Sequence, residues 1–314
     1  MPITKRCLML CLSIAFLLTG CSSPSHKEPP SKKGTRDNTP YVLQPQASGE
    51  KTIGNSKITF DLSHSEDGYT MVEYHGHNSK VKVRIQNPDS QEFYTYDIHE
   101  GYNTFPLTGG SGNYTFIAYE NISGTKYSQL FLKEENIQIQ NDYISYLYPN
   151  QYVSFDKNTQ AISLAQEIVV GANNDLEAVS YVYDYVIEHI SYDDEKATLA
   201  KEGKMAGYLP DVDETLQKKT GICFDYAALM ATMLRTQNIP TRMELGYVTM
   251  EDETIYHAWI SVYIHDIGWI DDLIHFDGKN WSMMDPTLIS DGHNSSKVRS
   301  LIKDQKNYTT KYLY

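Results

Sequence analysis

Between Thr52 and Asp142 apolar and polar residues alternate, the pattern a strand needs when only one of its faces is buried. "KITFDLS", "YTMVEYHG", "KVKVRIQN", "EFYTYDIH", "NYTFIAYEN", "YSQLFLKEE" and "IQIQN" follow one another, separated by clusters of Gly, Asn, Asp and Ser. Seven short strands at this spacing predict a small antiparallel β-sandwich over residues 52–142. The Cys, Trp, Cys spacing of an antibody-type domain is absent, so the pattern supports the general architecture only.

After Tyr143 the period lengthens. "NTQAISLAQEIVVGA" and "DLEAVSYVYDYVIEHI" carry apolar residues at helical spacing, and Val179, Val182, Tyr183 and Val186 share one face. A polar stretch, residues 191–220, leads to the very apolar "GICFDYAALMATML", predicted as a buried helix. "PTRMELGYVTM", "YHAWISVYIHD" and "GWIDDLIHFDGKNWSMMDPT" then predict strands, followed by a polar C-terminal tail. Helices first and an antiparallel sheet afterwards predict an α+β domain over residues 143–314.

The amino end belongs to neither unit. Lys5 and Arg6 precede an apolar run, "CLMLCLSIAFLL", too short for a comfortable membrane span. "LTGC" then resembles a bacterial lipobox, with residues 1–20 as a signal peptide and Cys21 as the lipidated first residue. Two acyl chains at Cys21 would suffice for stable anchoring. The expected location is the outer face of the bacterial cell membrane. Residues 21–51, rich in Ser, Pro and Lys, predict a flexible tether.

Composition narrows the function. A 40% hydrophobic fraction and 21% charged fraction describe a folded chain, and a net charge of -13 leaves little for nucleic-acid phosphates to bind. Cys7 and Cys11 leave with the signal and Cys21 takes lipid, so Cys223 is left without an intrachain thiol partner. A solitary thiol in an exported chain is either buried and inert or chemically employed.

The surroundings of Cys223 favour employment. Gly221 permits a bend, Thr220 is a candidate helix cap, and the first turn of a helix favours negative charge. Backbone donors there also suit an oxyanion. His257 shares a strand face with Trp259, Ser261 and Tyr263, which makes it a candidate base beside a water-excluding aromatic. Asp285, in a turn ended by Pro286, is a candidate to orient the imidazole. His75 and His77 lack further ligands at metal-binding spacing. Asp193, Asp194 and Glu195, like Asp211 and Asp213, lack a recognised calcium loop and suit a solvated acidic face.

Taken together, "TLQKKTGICFDYAALMATMLRTQNIPTR", "YHAWISVYI" and "WSMMDPT" resemble the core of the transglutaminase-like superfamily. The resemblance covers about residues 143–290 and implies a papain-like fold with Cys223 as nucleophile, His257 as base and Asp285 as third member. It implies no cofactor. The connection from His257 to Asp285 is longer than is usual in the family, which makes Asp272 a competitor for the third place. The resemblance also implies an oxyanion donor upstream of the cysteine, for which Tyr192 is the candidate and Tyr208 the reserve. The expected activity is acyl transfer from a peptide or amide, including wall peptide, through a Cys223 thioester. Water or an amine would resolve it, and a catalytically inactive surface-binding lipoprotein is the alternative.

Overall fold

The computed structural model describes residues 32–250, 253–276, 281–283 and 308–314. The first of its units is built from β1 (Thr52–Asn55), β2 (Ile58–Asp61), β3 (Tyr69–Tyr74), β4 (Val81–Gln86), β5 (Phe93–Asp97), β6 (Asn103–Pro106), β7 (Gly112–Ser123) and β8 (Lys126–Ile137). These form two antiparallel four-stranded sheets, ordered β1-β2-β3-β6 and β5-β4-β7-β8. Alternation explains the layering: Val81, Val83 and Ile85 turn inward while Lys82, Arg84 and Gln86 lie less buried. Phe60 of one sheet meets Phe116 of the other at 5.6 Å between ring centres.

The strand pattern needed two corrections. Thr52–Asn55 and Asn103–Pro106 are strands of four residues whose own alternation is too short to announce them. "IQIQN" is no separate strand, because its first residue closes the long β8.

The second unit opens with α1 (Gln160–Ile168) and α2 (Asp175–His189). Next come the short β9 (Ser191–Tyr192), α3 (Asp194–Lys201), α4 (Val212–Lys218), the short β10 (Thr220–Gly221) and α5 (Cys223–Arg235). A five-stranded antiparallel sheet follows: β11 (Thr241–Met250), β12 (Glu253–Ile264), β13 (Gly268–Phe276), β14 (Trp281–Met283) and β15 (Tyr308–Leu313), ordered β14-β13-β12-β11-β15. The protein is thus α+β, with α5 held among α1, α2 and α4 and against β11 and β12.

That position explains the sequence of α5, which is apolar on every side apart from the enclosed Asp225, Thr232 and Arg235. Leu229, Met230, Met233 and Leu234 have no exposed surface. Each contributes about 1.5–3 kcal/mol by burial. The expected polar tail ends instead in β15, which pairs with β11 and brings Tyr314 against Tyr94 and Tyr152.

Residues 34–49, expected within a flexible tether, lie along the folded surface. Gly34 donates to the Val170 carbonyl at 2.8 Å and Tyr41 to the Thr236 carbonyl at 2.8 Å. Arg36 pairs with Asp175 at 2.7 Å, and Gly49 donates to the Asp61 carboxylate at 2.7 Å. The composition that suggests a spacer, rich in Ser, Pro and Lys, here includes an extended strap whose polar groups find fixed partners.

Candidate active site

Cys223 is the first residue of α5. The cap differs from expectation: Ile222 occupies it, and the Asp225 carboxylate accepts from the Ile222 N–H at 2.8 Å. This satisfies one of the donors a helix start leaves open. Thr220 and Gly221 instead pair in parallel with Ser191 and Tyr192. Gly221 has a packing reason, because a Cβ there would stand 2.6 Å from the Asp225 Cβ. The carboxylate arm folds back over the space that glycine leaves.

Cys223 is 7% exposed. Burial pushes its pKa up to about 11, while backbone hydrogen bonding from Ala258 and Phe224 works in the opposite direction. The Ala258 nitrogen belongs to the peptide that follows His257, so Cys223 lies against the segment of β12 that carries the histidine. His257 is itself 2% exposed and sits opposite Gly246 of β11. A Cβ at Gly246 would be 2.1 Å from the Thr309 carbonyl oxygen and 2.9 Å from the Trp259 ring. Glycine there admits both β15 and the indole, and Trp259 is completely enclosed, edge-on to Tyr308.

Tyr192 enters from β9. Burial pushes its hydroxyl well above the ordinary phenol range, and the nearby Cys223 charge adds to the shift. Tyr208 is committed elsewhere, since its hydroxyl donates to the Asp225 carboxylate. Burial followed by that hydrogen bond raises its pKa strongly. Asp285 lies outside the described residues, and Asp272 falls on β13 without a described side chain. The structure therefore brings together Cys223, Tyr192 and the His257 segment.

The acidic clusters have local explanations. Asp193 and Asp211 cap α3 and α4 by accepting from Lys196 and Glu214 backbone N–H groups, and Asp213 accepts from the Gln160 N–H. His75 meets the Thr59 hydroxyl at 3.0 Å in the turn after β3. Among the described residues, no group of three or more His, Cys, Asp or Glu is placed to hold a metal ion.

Two residues gained significance only in the structure. Asp225 is 0% exposed and lies between Ile222, Lys196 and Tyr208. Its place three residues after the cap carried the local signal, while the lysine and tyrosine come from distant positions. Glu244, 4% exposed, accepts from Ser261 and from Thr310 at 2.7 Å, and burial raises its pKa.

The sequence model of the transglutaminase-like superfamily matches residues 162–272. Residues 162–272 are a transglutaminase-like domain. This stretch contains Cys223 and His257 and closes at Asp272, short of Asp285. Uncharacterized protein YebA of Bacillus subtilis is 29% identical over 128 residues, covering 36% of this chain and 16% of the relative. This chain thus aligns with only a minor part of that longer protein. Among solved structures, a "putative cysteine protease" from Cytophaga hutchinsonii aligns at 15% identity and TM-score 0.34, covering 76% of this chain and 68% of its own. A "putative protease" from Parabacteroides distasonis aligns at 14% identity and TM-score 0.29, covering 59% of this chain and 36% of its own.

Proposed function

We propose that the protein is an exported cysteine-dependent acyl-transfer enzyme, anchored through Cys21, that cleaves peptide or amide bonds. The observation that carries this reading is the placement of Cys223 at the first turn of an enclosed helix, against the peptide joining His257 to Ala258. A thiol with its pKa pushed up to about 11 is mainly protonated near neutral pH. It therefore needs a base during attack, and His257 is assigned that role.

In the proposed reaction His257 removes the Cys223 proton as sulfur attacks the amide carbonyl. Backbone N–H groups at the start of α5 and the Tyr192 hydroxyl stabilise the oxyanion. His257 then gives the proton to the leaving amine, and the carbon–nitrogen bond breaks to leave a thioester. Water, deprotonated by His257, attacks the thioester and releases the acid and the thiol. Asp285 is assigned the orientation of the imidazole, with Asp272 as its rival.

The chain is tested by incubation with a library of peptides and wall peptides, followed by intact-mass analysis. An acyl adduct on Cys223 that is lost in Cys223→Ala supports the reading. Absence of both an adduct and Cys223-dependent products overturns it in favour of a binding or scaffolding protein. Product partition between water and an added amine separates hydrolysis from transamidation. Anchoring predicts fatty-acid labelling and membrane association that Cys21→Ser abolishes.

A further inference from the structure

Two side chains at the ends of one surface excursion converge on a single enclosed carboxylate. Lys196, in the first turn of α3, places Nζ 2.6 Å from Asp225 Oδ2 and donates at 2.6 Å to the Tyr208 hydroxyl. Tyr208 in turn donates to Asp225 Oδ1. The Ile222 N–H supplies another donor to Oδ2, 2.8 Å away. The ammonium also lies 4.3 Å from the centre of the Tyr208 ring. Asp225 has no exposed surface, whereas the Lys196 side chain retains 23% exposure.

The cluster sits where electrostatics matter to the thiol. Asp225 lies two residues beyond Cys223, and its negative charge opposes formation of the thiolate. A lone carboxylate at 0% exposure is costly, and a cation in direct contact turns its field into that of a shorter-ranged dipole. The same contacts close the segment between Lys196 and Tyr208 at both ends. Its base is further tied by the Asp193 N–H donating to the Gly221 carbonyl at 3.0 Å.

We propose that Lys196 and Tyr208 are positioning residues for Cys223: together they fasten the 193–208 segment onto the first turn of α5, and Lys196 cancels the Asp225 charge beside the thiol. This rests on Cys223 being the reactive residue and adds how its reactivity is set. Among the described residues, the other titratable groups around the sulfur are Tyr192 on β9, and Tyr256 and His257 on β12, which all the variants below retain.

The test is the pH dependence of Cys223 alkylation by iodoacetamide in the full chain, read by mass spectrometry of the peptide containing Cys223. Lys196→Met should raise the alkylation midpoint by about one pH unit and slow reaction at a fixed lower pH about tenfold. Adding Asp225→Asn to Lys196→Met should return the rate at that pH to within about threefold of wild type. Tyr208→Phe should leave the midpoint near wild type while exposing the 197–207 segment to faster proteolysis. An unchanged midpoint in Lys196→Met overturns the proposal. So does a double variant as slow as the single one, provided both remain folded by near-UV circular dichroism. If both variants unfold, Lys196→Arg replaces Lys196→Met: a retained charge should keep the wild-type midpoint, and a shifted midpoint overturns the proposal. Wild type that alkylates as described yet turns over no substrate defeats the enzyme reading alone.

Discussion

Arg235 Nη2 donates to the Tyr314 carbonyl at 2.7 Å inside the protein, joining the last residue of α5 to the chain just beyond β15. The same guanidinium donates to the Thr241 carbonyl at 3.0 and 2.8 Å and to the Tyr148 carbonyl at 2.6 Å. With 0% exposure, burial lowers its pKa to about 9. Arg235→Met leaves several enclosed carbonyls short of donors and should destabilise by about 3 kcal/mol or more. Urea unfolding measures it, and a loss below about 1 kcal/mol refutes the assigned role. Lys at this position should recover little, because an ammonium cannot reproduce the planar fork.

Gly221→Ala tests the packing under Asp225. The added methyl meets the Asp225 Cβ at 2.6 Å, a distance ordinary side chains do not tolerate. Relief requires the carboxylate or the start of α5 to move, at a cost of about 1–3 kcal/mol. Cys223 alkylation should change along with stability. A variant that matches wild type in both would remove the close approach from the explanation.

The two aspartates and the base are separated by substitution. On the proposed mechanism, His257→Ala lowers kcat/KM by about 10²–10⁴. Asp285→Ala should cause a large loss while Asp272→Ala retains most activity. The reverse result transfers the third role to Asp272, where the family match ends. Substrate hydrolysis is the measurement, with Cys223→Ala as the blank.

Alkali should unfold the protein through its tyrosines, of which there are 25. Burial pushes Tyr183 and Tyr226 up to about 12 and drives Tyr96 and Tyr314 well above the ordinary phenol range. An unfolded chain ionises its tyrosines near pH 10. Above that pH the folded state therefore holds more protons, so stability is intact below about 10 and falls as pH rises toward 12. Absorbance at about 295 nm should show a late tyrosinate class that appears together with loss of circular dichroism. Complete ionisation near pH 10 with the fold intact would contradict this.

Periodicity made the sandwich and the enclosed helix legible because both present long, regular faces to a core. Glycine and cysteine before an apolar run placed Cys223 at a helix start, and alternation placed His257 on a strand. The pattern failed where partners are remote or elements are short. "YTTKYL" gives little warning of β15, since its place depends on pairing with β11 from far along the chain. Thr220 resembles a cap by type, but the Asp225 arm reaches back first and frees Thr220 for pairing with Ser191. Lys196 looks like an ordinary surface residue, and Tyr208 like a reserve oxyanion donor, until the fold brings both to Asp225. The strap was misjudged because composition reports what a segment could do in isolation, whereas Arg36 and Gly49 find their partners on separate parts of the fold.

The strap also determines how a pull on the amino end would be borne. Tension entering at Gly34 meets the Val170 hydrogen bond first, then the Arg36–Asp175 pair, and only later the Tyr41 and Gly49 attachments. Successive fastenings peel one at a time, and the bonds of Arg36 and Tyr41 to the Gln237 and Thr236 carbonyls deliver the remaining load to the carboxyl end of α5, the end away from Cys223. On the anchoring proposed through Cys21, residues 34–49 would act as a strain relief, like the sleeve that protects a cable where it enters its plug.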